Sequence, residues 1–385
     1  MKTTVYLIRH AEAEGNVYRR CHGQYNSLLT PRAYQQLPYL AERFSNVPLD
    51  FVYASDLFRA RRTAQAVAEP HNLSVQIYPA LREVDMGDWE DMPWADLVRC
   101  WSEEYVLWKT KPWEYTPPHG ESVIQAGQRM LNGVKEIVRE HEGKTIAVVT
   151  HGSAIRGALT LAHGWAAEEM PNIGWGDNTC VARLDFDTPE QITVVYENDA
   201  SHLPVELSTF SAIGWKDTAS IPESLQLWFR RVDPLEPNDA QLFLQYMQSA
   251  CQEKYHAVCS DPDELLSAVE QAQKVSPRSV TFCCLEDSDK PIGLVYLQTE
   301  QDTMPDTGII GELYLEKDYR GRGLEQQTIG QAISVYRQLG KDYIGVHLYS
   351  DQASIIPFYH DLAFEAVQSE NETIVLLRRK IRIDI

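Results

Sequence analysis

Two short stretches of the chain place an imidazole directly after an apolar run: VYLIRHAEAEGN at residues 5–16 and TIAVVTHGSAIRG at residues 145–157. In the first, Arg9 sets a permanent cation beside His10; in the second, His151 is followed by small residues. A third stretch, YASDLFRARRTAQAVAE, carries Arg59 near the start of a helical pattern, and a fourth, LREVDMGDWED, carries Glu83 in a loop after a strand. Two guanidinium groups, two imidazoles and a carboxylate make a set suited to a phosphate monoester. A neutral imidazole can attack phosphorus and divide one hard displacement into two easier ones through a phosphohistidine. Fixed cations neutralise the equatorial oxygens, where phosphoryl transfer gains most from a protein. A carboxyl group can protonate the leaving oxygen and later help to activate water. In this scheme His10 is the nucleophile, Arg9, Arg59 and His151 hold the phosphoryl oxygens, and Glu83 is the acid and base. The arginines take the electrostatic role of an ion, so no metal is required.

Such a set works only if the fold gathers it. Patterning predicts strands near 3–9, 50–54, 74–78, 145–150, 180–186 and 192–196, with helices at 31–45, 56–70, 120–142 and 152–163 between them. Continuous apolar runs of strand length suit a parallel sheet covered on both faces, and strand–helix alternation makes this half α/β. Ligands of open α/β sheets bind beyond the carboxyl ends of the strands, where both His10 and His151 stand. In a continuing pleat Arg9 and His10 would face opposite sides, so the strand must end there. Ser55 or Asp56 is the expected N-cap of the helix that carries Arg59. The segment WADLVRCWSEEYVLWKTKPWEYTPPHGES breaks the rhythm with Trp94, Trp101, Trp108 and Trp113, and reads as a helical insertion that could serve as a lid.

With 385 residues, two domains are expected. A formal charge of −20 argues against nucleic-acid or anionic-membrane partners, so an anionic substrate needs a local cationic pocket. Seven cysteines without CxxC spacing read as free thiols in a reducing compartment. Cys21 and His22 have no second pair of ligands nearby to complete a metal site. No apolar run approaches the roughly 20 residues of a membrane span, and Arg9 and His10 interrupt the only N-terminal one; a cytoplasmic address is the expectation. Periodicity fades over ELSTFSAIGWKDTASIPES, which places domains at 1–212 and 225–385 with a linker at 213–224.

The first half resembles the histidine phosphatase superfamily, also called phosphoglycerate mutase-like. LIRHAEAEGN is similar to its Arg-His-Gly-Glu-Thr-x-x-Asn signature, with Ala11 for Gly and Ala13 for Thr. ASDLFRARRTAQ, LREVDMGDWED, HGESVIQAGQR, VVTHGSAIR and NDASHLP follow in the family's order, while Asn26 stands where Asp is common and Ala33 where Gly is common. The resemblance implies a three-layer α/β/α domain and the same roles for His10, Glu83, Arg9, Arg59 and His151, with Asn16 and Gly152 as further substrate contacts. It implies a phosphatase or a mutase acting on a small phosphomonoester; the shortness of the domain favours hydrolysis.

After the linker the patterns are a strand at LWFRRV, a helix from EPNDAQLF, a helix near 262–274 and strands near 279–285, 291–299 and 308–315. A helix at 323–338, a strand at 342–348, a helix at 353–362 and a strand at 372–379 follow. In IIGELYLEKDYRGRGLEQQTIGQAI, Gly321 and Gly323 free the backbone to present N–H groups at a helix start, an arrangement suited to pyrophosphate. With YSDQASIIPFYHDLAFEAV, this half resembles the GNAT family of acetyl-CoA-dependent N-acetyltransferases, an α+β fold. The resemblance implies acetyl-CoA on Arg320, Gly321, Arg322 and Gly323, backbone contacts from Leu315 to the pantetheine arm, Tyr359 as general acid and an amine acceptor. Two positions depart from it: Glu325 where Gly or Ala is usual, and Ala363 where Gly is usual. A like-charge contact at about 4 Å and an effective dielectric near 20 costs about 4 kcal/mol, which Glu325 avoids only by turning outward. The alternatives to a phosphatase are therefore a mutase, an acyltransferase with an ancillary phosphatase part, and a non-enzymatic sensor of phosphoester or CoA.

Overall fold

The computed structural model describes residues 2–212, 225–255, 261–299, 304–349, 355–367 and 374–383. The expected linker at 213–224 lies outside them. The chain divides into two compact units, the first carried by most of the residues up to Ala212 and the second by those from Leu225 on.

In the first unit β1 (Thr3–Arg9) leads through a single turn, α1 (Glu14–Val17), to α2 (Pro31–Ser45). Thr30 caps α2 by accepting the Ala33 N–H, and Pro31 stands at its first position, where its missing N–H costs nothing. Then come β2 (Phe51–Ala54), α3 (Phe58–Ala68) and β3 (Val75–Ile77). The tryptophan-rich segment forms α4 (Trp94–Cys100) and α5 (Ser102–Thr110), helical as its patterning predicts. The long helix α6 (Val123–Glu140) starts from a capping box in which Ser122 and Gln125 satisfy each other's backbone N–H groups. β4 (Thr145–Thr150), α7 (Gly152–Ala162), β5 (Val181–Thr188), β6 (Gln191–Asp199) and the short α8 (Thr209–Ala212) complete the unit.

Its sheet has the order β3-β2-β4-β1-β5-β6. β1 to β4 are parallel, whereas β5 and β6 join antiparallel, so the expected parallel sheet covers four of the six strands. Alternation along the central strands explains their unbroken apolar runs. Val5, Leu7, Ile146 and Val148 pack with Met130, Val134 and Leu159 from α6 and α7. Ile8, Ala147 and Val149 pack with Leu40, Phe44 and Ala64 from α2 and α3. Both faces are covered, giving three layers. β1 and β4 are neighbours in parallel register, Arg9 opposite Thr150, so the residues that follow them leave the sheet side by side.

The second unit contains β7 (Leu227–Arg231), α9 (Pro237–Tyr255), α10 (Pro262–Val275), β8 (Val280–Leu285), β9 (Pro291–Leu297) and β10 (Thr307–Leu315). It continues with α11 (Leu324–Gln338), β11 (Tyr343–Tyr349), α12 (Ile356–Asp361), β12 (Glu365–Val367) and β13 (Ile374–Lys380). Its sheet runs β12-β13-β11-β10-β9-β8-β7. β10 pairs with β11 over Thr307–Ile310, and its register against β9 shifts between Ile310 and Glu312. β12 was not expected: its three residues are exposed and carry no alternation to mark a strand.

Cys21, Cys100, Cys180, Cys283 and Cys284 are thiols outside any disulfide. The expectation of free thiols throughout fails at Cys251, which is disulfide-bonded; Cys259 lies outside the described residues. Among the described residues no helix is long and apolar enough to cross a membrane.

Candidate active site

β1 ends at Arg9 and β4 at Thr150, and a hydrogen bond of 2.9 Å from His10 N–H to the Thr150 carbonyl holds the two exits together. The rings of His10 and His151 then lie 5.2 Å apart, centroid to centroid. His10 Nδ1 is 2.7 Å from the carbonyl of Ala11. A carbonyl only accepts, so Nδ1 carries the proton and Nε2 keeps its lone pair. Burial, with the Arg59 and Arg9 charges behind it, holds His10 well below the ordinary imidazole range, so the ring is neutral at neutral pH. His151 is pushed the same way, again by burial first and then Arg59. Both of its ring nitrogens are buried without a hydrogen-bond partner. Orphaned polar atoms of this kind call for an explanation, and a tetrahedral anion between the rings supplies one.

The cations are held by main chain. Arg9 donates from Nη1 to the carbonyl of Gly176, while its Nε is buried and unpaired. Gly152 lies against it: a Cβ there would stand 3.2 Å from Arg9 Nε. Gly152 therefore makes room for the guanidinium, a role the sequence reading did not give it. Arg59 donates to the carbonyls of Tyr25 (2.9 Å) and Gly23 (2.6 Å). Only 1% of it is exposed, and burial lowers its pKa to about 10, still cationic at neutral pH.

The expected cap of α3 needs correction. Its N-cap is Leu57, without a side-chain cap, and Asp56 instead pairs with Arg82. Asn26 substitutes: its Oδ1 accepts the Phe58 N–H at 2.8 Å. A residue 32 positions earlier does the capping, which local pattern cannot reveal.

Glu83 reaches the start of α7, where its carboxylate accepts the N–H groups of Ser153 (3.1 Å) and Ala154 (2.8 Å) beside His151. Its own carbonyl is gripped by Arg129 at 3.0 Å and Gln24 at 3.3 Å. Arg129 also binds the carbonyls of Ala80 and Arg82 and pairs with Glu121. The HGESVIQAGQR segment thus supports the Glu83 loop from behind. Asn16 uses Oδ1 to accept the Ala13 N–H at 2.9 Å, leaving its amide N–H groups as donors. Sequence reasoning missed Asn178, whose side chain donates to the His10 carbonyl at 2.9 Å. The neighbouring Thr179, at φ 63°, is β-branched in a left-handed conformation, which marks a strained turn. The GWGDNTC stretch that holds both lacks a recognisable spacing.

Cys21 is buried and its thiol pushed well up by burial, while His22 turns Nε2 to Asp91 at 3.0 Å. Among the described residues no cluster is arranged to hold a metal ion.

In the second unit the loop before α11 does bring Gly321 and Gly323 into left-handed φ. Glu325, however, turns inward and its carboxylate accepts the Gly321 N–H. Arg320 donates back to the carbonyl of Leu315 (2.8 Å) and pairs with Glu253. Arg322 lies over the ring of Tyr319. The Gly321 N–H and the Leu315 carbonyl, both assigned to acetyl-CoA by the resemblance, thus already have partners within the chain. Tyr359 is buried between Phe358 and Phe364, and Ala363 occupies φ 61°, a conformation that favours glycine.

Comparison with known proteins agrees with this division. The family model described as "Histidine phosphatase superfamily (branch 1)" matches residues 5–199, and that of "Acetyltransferase (GNAT) family" matches residues 244–364. "Probable phosphoglycerate mutase GpmB" of Serratia proteamaculans is 36% identical over 167 residues, covering 42% of this chain and 76% of that protein. "Adenosylcobalamin/alpha-ribazole phosphatase" of Escherichia coli is 31% identical over 184 residues, covering 48% and 90%. The solved structure of Bacillus stearothermophilus YhfR aligns with a TM-score of 0.50 at 30% identity, over 52% of this chain and 98% of that one.

Proposed function

Because the chain belongs to the histidine phosphatase superfamily, we propose that its first domain hydrolyses a small phosphomonoester through a phosphohistidine on His10, without a metal. The observation that carries the reading is the state of His10: Nδ1–H is bound to the Ala11 carbonyl, so Nε2 presents its lone pair beside a cationic pocket. Nε2 attacks phosphorus, the N–P bond forms and the ester P–O bond breaks as Glu83 gives a proton to the leaving oxygen. Water, deprotonated by Glu83, then cleaves the N–P bond and releases phosphate. Arg9 and Arg59 neutralise the equatorial oxygens throughout. A bound dianion also supplies the counter-charge that His151 lacks, raising its affinity for a proton and turning it into a donor. Asn16 contributes amide N–H groups at the same mouth.

Labelling with a phosphodonor tests this: an acid-labile phosphoprotein is expected in the wild type and none in His10→Ala. Absence of label together with absence of turnover over a panel of phosphomonoesters overturns the reading. The similarity to a protein named as a phosphoglycerate mutase favours a second reading, transfer of the phosphoryl group back to a substrate. Release of free phosphate, against interconversion of phosphoglycerates, separates the two. For the second domain, the family match supports acyl-CoA chemistry and the inward Glu325 opposes it; we assign it no step.

A further inference from the structure

We propose that Glu90 is a positioning residue that sets the phosphate-binding arginine, Arg59, through the main chain of residues 23–25. This rests on the phosphatase reading of the site. The Glu90 carboxylate accepts four backbone N–H groups: Gln24 (2.6 Å) and Met86 (3.1 Å) on one oxygen, Tyr25 (2.8 Å) and Gly23 (3.2 Å) on the other. On the opposite side the carbonyls of Gly23 and Tyr25 accept from the two terminal nitrogens of Arg59. The peptide between Gly23 and Gln24 belongs to both sets. A trans peptide points its C=O and N–H in opposite directions, so a guanidinium on the oxygen and a carboxylate on the N–H stabilise one dipole from its two ends.

The approach is close because position 23 has no side chain: a Cβ there would lie 2.5 Å from a Glu90 oxygen. The strand of chain carrying Glu90 is also zipped to this loop. Asp91 N–H donates to Cys21 and Cys21 N–H donates to Met92, each at 2.7 Å. Trp89, fully buried, anchors the preceding residue. Glu90 acts by fixing where the Arg59 acceptors stand, through the four N–H groups that its carboxylate accepts. A carboxylate with four N–H partners holds such a loop more firmly than an amide, which accepts through one oxygen only and brings donors against donors.

The test is a double-mutant cycle on the full chain, with kcat and KM for p-nitrophenyl phosphate and the affinity for orthovanadate as readouts. Glu90→Gln is expected to lower kcat/KM and vanadate affinity by about 10- to 100-fold in the Arg59-containing protein, and by less than about threefold in an Arg59→Ala background. Glu90→Asp, which keeps the charge but not the reach, is expected to lose less and to show the same dependence on Arg59; it carries the test if the Gln variant fails to fold. Equal losses in both backgrounds, or a folded Glu90 variant that binds vanadate like the wild type, overturn the inference while leaving the phosphatase reading standing. A wild-type chain that neither turns over the ester nor binds vanadate overturns both.

Discussion

Gly152→Ala separates activity from stability. Gly152 opens α7, and its φ lies outside the left-handed region, so alanine meets no backbone obstacle. In a helix alanine is better than glycine by up to about 1 kcal/mol, which predicts an unchanged or slightly raised Tm. The new Cβ, however, stands 3.2 Å from Arg9 Nε, closer than ordinary contact, and 3.4 Å from Cζ. Arg9 cannot swing freely, since it is the last residue of β1 and its side chain donates to Gly176. Its guanidinium must shift by a few tenths of an ångström from the position in which the proposed mechanism uses it. An intact charge-assisted hydrogen bond contributes about 1.5–3 kcal/mol, so weakening it lowers kcat/KM by up to about 150-fold, the loss expected if the bond were removed entirely. Thermal denaturation and orthovanadate inhibition, measured together, decide it. Full activity in the alanine variant, or lost stability with lost activity, would refute the placement of Arg9 against Gly152.

His10, His22 and His151 are all held below the ordinary imidazole range, chiefly by burial. The unfolded chain therefore binds more protons than the folded one below about pH 6.5, and stability falls as pH drops from 6.5 towards 5. Urea midpoints across that window check the sign; midpoints that stay flat or rise on acidification contradict it. Glu325→Ala frees the Gly321 N–H, and calorimetry is expected to find a gain in acetyl-CoA affinity on the order of tenfold or more over the wild type. Equal affinities would mean that the inward carboxylate does not govern the loop. Asn26→Ala removes the cap of α3 and should cost about 1 kcal/mol of stability, read by denaturant titration; an unchanged midpoint would assign the Phe58 N–H another partner.

The strand-end residues are legible in the sequence because a fully covered strand must be apolar on both faces. The first polar residues after VYLI and IAVV then mark where the chain leaves the sheet. Arg59 and Glu83 are legible as chemistry but not as geometry. Nothing local says that Arg59 reaches back to carbonyls 34 and 36 residues earlier, or that Glu83 ends at the start of α7. The cap of α3 escapes local pattern for the same reason: Ser55 and Asp56 have the right side chains, but tertiary structure gives Asp56 to Arg82 and the N–H to Asn26. The departure at Glu325 was legible as a charge in the wrong place. Its inward turn was not, because a rotamer is decided by what stands opposite it.

The site divides its labour between side chain and main chain in a consistent way. Arg9 and Arg59 end on peptide carbonyls, whereas Glu83 and Glu90 end on peptide N–H groups. A peptide group offers the same donor and acceptor whatever its side chain, so the loops at 23–25, 153–154 and 176 constrain few residue types of their own. What they demand is path: glycine where two groups approach closely, an asparagine that ties a carbonyl down, a strained turn at Thr179. The charges that must meet the phosphoryl group are thus fixed by chain trajectory and the rest of the surface is released, including its excess of acid. A net charge of −20 and a phosphate pocket are compatible on this scaffold because the repulsion is screened within about 8 Å of bulk solvent. The buried guanidinium groups are screened far less.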